Sequence, residues 1–310
     1  MDLPELPDLS AERLAAVLAR HGLSGESVAR LPDVGIFNAI LTIGDSVVLR
    51  VPRVHPVFVE SAHKEAIAVP AARAAGVRTP ALLAFDDTLE VLPVPYSLYE
   101  RVAGETLEHL GLDAADSRAA YRELGRDLGR LHDGIDRVGP IADLELEGLP
   151  APDDWPDELV REGYLGPAEA RWISDWLARL RQRVEVSPMP DAFRHGDLQA
   201  TNVMVSPTLA YLALLDWGAC GWGNPAHDFA GVPAAAVPLL LDGYRDNRPV
   251  PRDGSFEAHI VYRQLHLALF LLRRPPQPGK SWAERPMAML LDLVRFHAGS
   301  PEPGFEGLGP

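Results

Sequence analysis

One stretch constrains this chain more than any other: Arg194 to Asp228, which runs R-HGDLQATN-VMVSPTLAYLALL-DWGACGWGNPAH-D. Within it Asp197 is followed five residues later by Asn202 and, fourteen after that, by Asp216. Two short apolar runs separate Asn202 from Asp216, Val203-Met204-Val205 and Ala210 to Leu215, split by the turn-forming Ser206-Pro207. A β-hairpin with one polar residue just before its first strand and another just after its second brings both to one end. Asn202 and Asp216 are therefore expected to meet near Asp197. That arrangement suits a divalent metal with oxygen ligands and a base beside it.

At 310 residues the chain is long for one domain and comfortable for two lobes with their own cores. Its net charge of −15 argues against nucleic acid as a partner, because phosphate backbones select basic surfaces. The same charge would concentrate a cationic substrate, or serve solubility alone. The single cysteine, Cys220, allows no intrachain disulfide. The acidic start, Met1 to Glu5, lacks the order of a signal peptide, and the most apolar stretch, Ala230 to Leu241, is too short to span a bilayer and holds Pro233 and Pro238. A cytoplasmic protein with no membrane partner is the expectation.

The first third reads as a small sheet with helices. Ser10 to His21 has a capping serine and an apolar stripe of Leu14, Val17 and Leu18. Val34 to Ile43, the turn Gly44-Asp45 and Ser46 to Val51 read as a β-hairpin. Val59 to Ala75 is helix-prone, with Pro70 predicting a kink or an early end. Leu82 to Phe85, Leu89 to Leu92 and Tyr96 to Val102 are expected strands. Arg50 on a strand and Glu65 on the next helix make a candidate ion pair. In a nucleotide-binding lobe the cation would touch phosphates while the carboxylate holds it, and a solvated surface pair is the competing reading. Glu100 to Gly104, where strands give way to helices, marks a hinge whose backbone would face an adenine.

Beyond it, Asp113 to Ile135 carries Leu124, Leu128, Leu131 and Ile135 at helical spacing, with His132 a structural residue near its end. Asp143 to Glu162 is acidic, and either a solvated loop or the rim of a pocket for a cation. Pro167 begins a helix whose Trp172, Trp176, Leu177, Leu180 and Val184 are expected in a core. Asp242, Asp246, Asp253 and Glu257 precede another helix, Phe256 to Arg273, and Ser281 to His297 forms one more. The Gly- and Pro-rich end, 299–310, is expected to be disordered.

Gln277 to Ser281 ends like a phosphate loop but lacks the upstream glycine, and an apolar helix rather than a strand precedes it. No HExxH, CxxC or GxSxG occurs, which leaves zinc proteolysis and serine hydrolysis unsupported. HGDLQATN differs in kind. Phosphoryl transfer asks a protein for positioned phosphates, magnesium and a carboxylate that aligns the attacking hydroxyl. Asp197 fits the last role, and Asn202 and Asp216 offer hard oxygens to Mg²⁺.

HGDLQATN and LLDWGACGWGNPAHDFA resemble the catalytic and metal-binding segments of the aminoglycoside phosphotransferase family, which covers antibiotic kinases and metabolite kinases related to choline kinase. VVLRVPR with Glu65, LYERVAGETL and LGRDLGRLHD extend the likeness over most of the chain. The resemblance implies an α+β, protein-kinase-like fold: a small antiparallel-sheet lobe with one helix over residues 1–102, and a larger, mainly helical lobe over 103–298. It implies Asp197 as catalytic base, Asn202 and Asp216 as magnesium ligands, Arg50 as phosphate contact and Glu65 as its partner. Gly35 falls in the expected phosphate-covering loop, and Glu100 and Val102 mark the adenine hinge. His195 and Asp228 would brace the catalytic loop. Arg50 stands where many relatives have lysine, Gln199-Ala200-Thr201 replaces a common His-Pro-Gly, and Asn224 replaces a common aspartate. ATP or GTP would be the donor and a small, cationic molecule, an antibiotic first, the acceptor. A housekeeping kinase for an amino alcohol, sugar or amino acid, and a catalytically silent nucleotide-binding protein, are the alternatives.

Overall fold

The computed structural model describes residues 3–31, 37–111, 115–145, 150–273, 287–299 and 301–310. Five antiparallel strands open the chain: Val28–Arg30 (β1), Asn38–Ile43 (β2), Val47–Pro52 (β3), Leu82–Asp86 (β4) and Tyr96–Glu100 (β5), in the spatial order β1-β2-β3-β5-β4. Alternation sets the buried face: Ala39, Leu41 and Ile43 on β2 and Val47, Leu49 and Val51 on β3 all turn inward. With Leu92, Val94 and the Val17-Leu18 stripe of α1 (Ala11–Arg20) they form a core of their own. Ser10 caps α1 as its sequence position predicts.

One expectation fails in this region and another is narrowed. Helix α2 (Pro56–Ala74) runs through Pro70 with no early end, because Ala68, Val69 and Ala72 around it are buried and their packing outweighs one lost backbone hydrogen bond. Leu89 to Leu92 forms no strand. Asp86 accepts the backbone N–H of Thr88 at 3.0 Å, and Leu89 has φ +60°, so the segment turns instead of pairing.

The chain then enters a mainly helical part. Glu105–Thr106 (β6) leads into the short α3 (Leu107–Leu110), followed by α4 (Arg118–Gly134), α5 (Trp155–Arg161) and α6 (Pro167–Val186). Ala192–Arg194 (β7) pairs with Gly221–Gly223 (β10), and the predicted hairpin, Val203–Val205 (β8) and Tyr211–Leu214 (β9), pairs with β6. Three helices complete the part: α7 (Val237–Asn247), α8 (Ser255–Leu272) and α9 (Met287–Ala298). The contact between α4 and α7 is backbone to backbone. A Cβ at Gly243 would meet the Arg122 carbonyl at 1.9 Å, and one at Gly125 the Leu240 carbonyl at 2.0 Å. The sequence reading missed α7 and the two-residue-scale pairings that tie β6, β7 and β10 into small sheets.

The end of the chain corrects another expectation. Phe305 and Leu308 are buried, and the Leu308 carbonyl accepts the indole N–H of Trp176 at 2.7 Å. Two apolar anchors and one hydrogen bond order a segment whose Gly and Pro content suggested disorder. Trp172, expected in the core with Trp176, is 41% exposed. Gly35, the Gln277 to Ser281 stretch and the expected start of the last helix at Ser281 lie outside the described residues. Among those described, no helix is long and apolar enough to cross a membrane.

Candidate active site

The loop after β7 is fastened from below by one buried carboxylate. Asp228 accepts the backbone N–H of His195 at 2.8 Å, that of Gly196 at 2.7 Å, and the Nε2–H of His132 at 2.9 Å. Tyr244 in turn donates to His132 Nδ1 at 3.0 Å, which fixes the tautomer. Burial alone would raise the Asp228 carboxyl. The hydrogen bond from His132, with Arg194 nearby, instead brings it down to about 2, so it is ionised. Gly196 has φ +85°, and a Cβ there would meet the Ala219 carbonyl at 1.8 Å, so only glycine fits this turn. His195 closes the arrangement from above: its Nε2–H donates to the Leu215 carbonyl at 2.8 Å, and its ring meets Trp217 edge to face.

This bracing brings the three sequence-predicted residues together. The Asn202 amide donates to the Asp197 carbonyl at 2.8 Å and to its carboxylate at 3.3 Å. The backbone N–H of Leu215 donates to the Asn202 carbonyl at 2.8 Å, which closes the hairpin and sets Asp216 at the same end. Asp216 has φ +64°, a left-handed conformation that costs a non-glycine residue about 1 kcal/mol or more and that aspartate tolerates better than most. Gln199, seen in sequence only as a departure from the family pattern and given no role, donates to both Asp197 oxygens, at 2.8 and 3.0 Å.

Arg50 on β3 joins this loop to the sheet. It donates to Glu65 on α2 at 2.9 Å and to Asp216 at 2.7 Å, so one guanidinium spans two carboxylates. The Asn38 amide oxygen, turned toward Arg50, accepts from it at 3.0 and 3.3 Å, and Tyr99 donates to Glu65 at 3.0 Å. For Asp216, burial pushes the carboxyl up and Arg50 more than reverses it, leaving it below the usual range. Glu65 goes the other way: burial and the Asp216 charge outweigh Arg50 and raise it to about 7. The buried pair is therefore not the solvated surface contact that the sequence left open. Neither Asn38 nor Tyr99 had a role assigned from sequence, although Tyr99 lies within LYERVAGETL, and only the strand register reveals their contacts.

Glu100 and Val102 do not join this cluster. Glu100 ends β5, exposed, its carboxylate accepting the Ala81 N–H at 3.3 Å, and Val102 lies on the link from β5 to β6. Two acids of the stretch from Asp143 to Glu162 are paired with arginine, Asp153 with Arg181 and Glu158 with Arg273, and so are three near α7 and α8: Asp242 with Arg122, Asp246 with Arg126, and Glu257 with Arg245. Among the described residues no group of three His, Cys, Asp or Glu side chains is placed to hold a metal. Any cation at Asn202 and Asp216 must therefore complete its shell with oxygens from elsewhere, which is how Mg²⁺ binds beside phosphates.

Solved structures with this fold span nearly the whole chain. The GDP complex of wild-type aminoglycoside 2'-phosphotransferase-IIIa aligns with a TM-score of 0.65 at 17% identity, covering 92% of this chain and 98% of that one. Macrolide 2'-phosphotransferase MphH from Brachybacterium faecium gives 0.60 at 22%, covering 84% and 90%. A choline/ethanolamine kinase family protein from Mesorhizobium loti gives 0.58 at 20%, covering 84% and 83%. A stretch of 77 residues is 35% identical to the human modulator of macroautophagy TMEM150B, but it covers 23% of this chain and about a third (33%) of that protein. So short a match carries no functional argument. A family model described as the phosphotransferase enzyme family matches residues 28–266. With an antiparallel-sheet lobe above a helical one and the HGD-to-DW loop between them, this chain belongs to the phosphotransferase enzyme family, kinase-type enzymes that phosphorylate hydroxyl groups.

Proposed function

We propose that this enzyme moves the γ-phosphate of ATP or GTP to a hydroxyl of a small molecule, with Asp197 aligning the attacking hydroxyl and taking its proton. The observation that carries the reading is the convergence of Asp197, Asn202, Asp216 and Arg50 within one hydrogen-bonded cluster. Asn202 and Asp216 would hold Mg²⁺, which when bound neutralises charge between the β- and γ-phosphates. Arg50, held by Glu65, faces the position of the phosphates, and its guanidinium shields the Asp216 carboxylate until they arrive. Gln199 steadies the Asp197 carboxylate and must yield one of its oxygens to the acceptor hydroxyl. Catalysis on this account is positioning and charge stabilisation.

For the acceptor, the antibiotic reading is supported by the aminoglycoside and macrolide enzymes among the structural relatives, and phosphorylation of such a drug would confer resistance. A metabolite acceptor is supported by a different observation: five acids of the helical part, Asp153 and Glu158 of the candidate cation rim among them, are already paired with arginine. A coupled screen of ADP release over cationic antibiotics and small hydroxylated metabolites tests both. Turnover with any of them supports phosphotransfer, and the compound decides the class. No acceptor-dependent release with either nucleotide would contradict it.

A further inference from the structure

Behind the catalytic loop, four basic side chains from three elements crowd together with no carboxylate of their own among the described residues. Arg194 lies on β7, three residues before Asp197, which keeps their Cα atoms within about 11 Å of one another. His227 lies in the turn after β10, and Arg263 and His266 lie one turn apart on α8. Arg194 and His266 are each 2% exposed. Arg194 donates to the Trp222 carbonyl at 3.1 Å and meets His227 Nδ1, and His266 donates to the Pro150 carbonyl at 2.8 Å. Among the described residues, three buried nitrogens then have no hydrogen-bond partner: Nε of Arg194, Nε of Arg263 and Nδ1 of His266.

The charges in this region oppose one another. Burial pushes Arg263 below its ordinary value, the Tyr262 phenol offsets this only in part, and the Arg194 charge adds to the lowering. Burial, Arg263 and Arg194 drive His227 down to about 3. Among the described residues, the carboxylates within electrostatic reach are committed elsewhere or lie outside: Asp228 holds the catalytic loop, Asp153 pairs with Arg181, and Asp191 is exposed just before β7. The two arginine Nε–H groups are donors, whereas Nδ1 of the neutral His266 ring is an acceptor. Buried donors are normally satisfied and buried charge normally paired, so the two arginines fit a ligand with negative oxygens. Arginine forks match carboxylate and phosphate.

We propose that Arg263 and Arg194, with His227 and His266 beside them, form a binding site for a carboxylate or phosphate group of a small molecule. Its assignment to the acceptor rests on the phosphotransferase reading; the binding itself does not. An acceptor seated there would carry an anionic end, which points to a hydroxylated metabolite.

Thermal unfolding with inorganic phosphate, against chloride at equal ionic strength, tests the site. The nucleotide pocket is first filled with a non-hydrolysable ATP analogue and Mg²⁺, whose own shift in Tm reports separately on the nucleotide reading. Phosphate is expected to raise the wild-type Tm saturably by about 2–4 °C over chloride. Arg263→Gln should lose that increment and keep the analogue's shift. In plain buffer it should unfold no lower than the wild type, since a repelled charge has gone. No increment in the wild type, an increment retained by Arg263→Gln, or a clearly lower Tm of that variant in buffer would overturn the proposal. Hydroxy acids offered beside their neutral amides identify the source. ADP release favouring the acids roughly tenfold or more, and lost in Arg263→Gln, assigns the site to the acceptor. Equal response to both, with the phosphate increment intact, assigns it to a free anion.

Discussion

Arg50 holds two carboxylates and an amide at once, and lysine could not. A single ammonium lacks the planar fork that reaches Glu65 and Asp216 on different nitrogens. Arg50→Lys is therefore expected to raise the nucleotide KM about 3- to 10-fold with a smaller change in kcat. Arg50→Ala, which leaves Glu65 and Asp216 facing each other, should lower kcat/KM by about 100-fold or more. An unchanged nucleotide KM in the lysine variant would remove the fork from the account. These residues were readable to different degrees. Asp197, Asn202 and Asp216 stand in one short segment, so spacing alone gathers them. The roles of Asn38, Tyr99 and Gln199 were silent, because their partners are set by strand register and loop curvature that no local pattern records.

Elements were legible where periodicity was strong and illegible where packing decided. The β8–β9 hairpin and the apolar stripes of α1 and α4 followed from spacing. The passage of α2 through Pro70, and the turn at Asp86 to Leu89, depended on neighbours distant in sequence. The same holds for 301–310, whose composition says disorder and whose Phe305 and Leu308 say otherwise. Deleting these ten residues would remove two buried side chains from the core and orphan the Trp176 indole. The expected loss of stability is about 3–5 kcal/mol, read by denaturant unfolding. A deletion variant with wild-type stability would show the segment to be an ornament of the fold.

Across the whole molecule, histidines set the acid response. Burial lowers His132, His227, His259, His266 and His297, with His227 at about 3 and His297 at about 4. In the unfolded chain each takes up a proton near pH 6.5, so the unfolded state binds more protons below that value and stability falls as pH falls. The carboxyl of Glu65, raised to about 7, works in the opposite sense, but it is one group against five. Going from pH 7.5 to 5 should lower Tm by roughly 5–10 °C, and a Tm that rises on acidification would contradict these burial environments. The two-lobed kinase-like architecture was legible from the order of strands and helices together with the HGD segment. The acceptor was not, because the side chains that would meet it come from several helices with no shared motif. The central claim is tested most directly by acceptor-dependent ADP release in the presence of Mg²⁺, compared between the wild type and Asp197→Ala. The account predicts a loss of about 100- to 10,000-fold in the variant with nucleotide binding retained, and equal ADP release by the two proteins would contradict it.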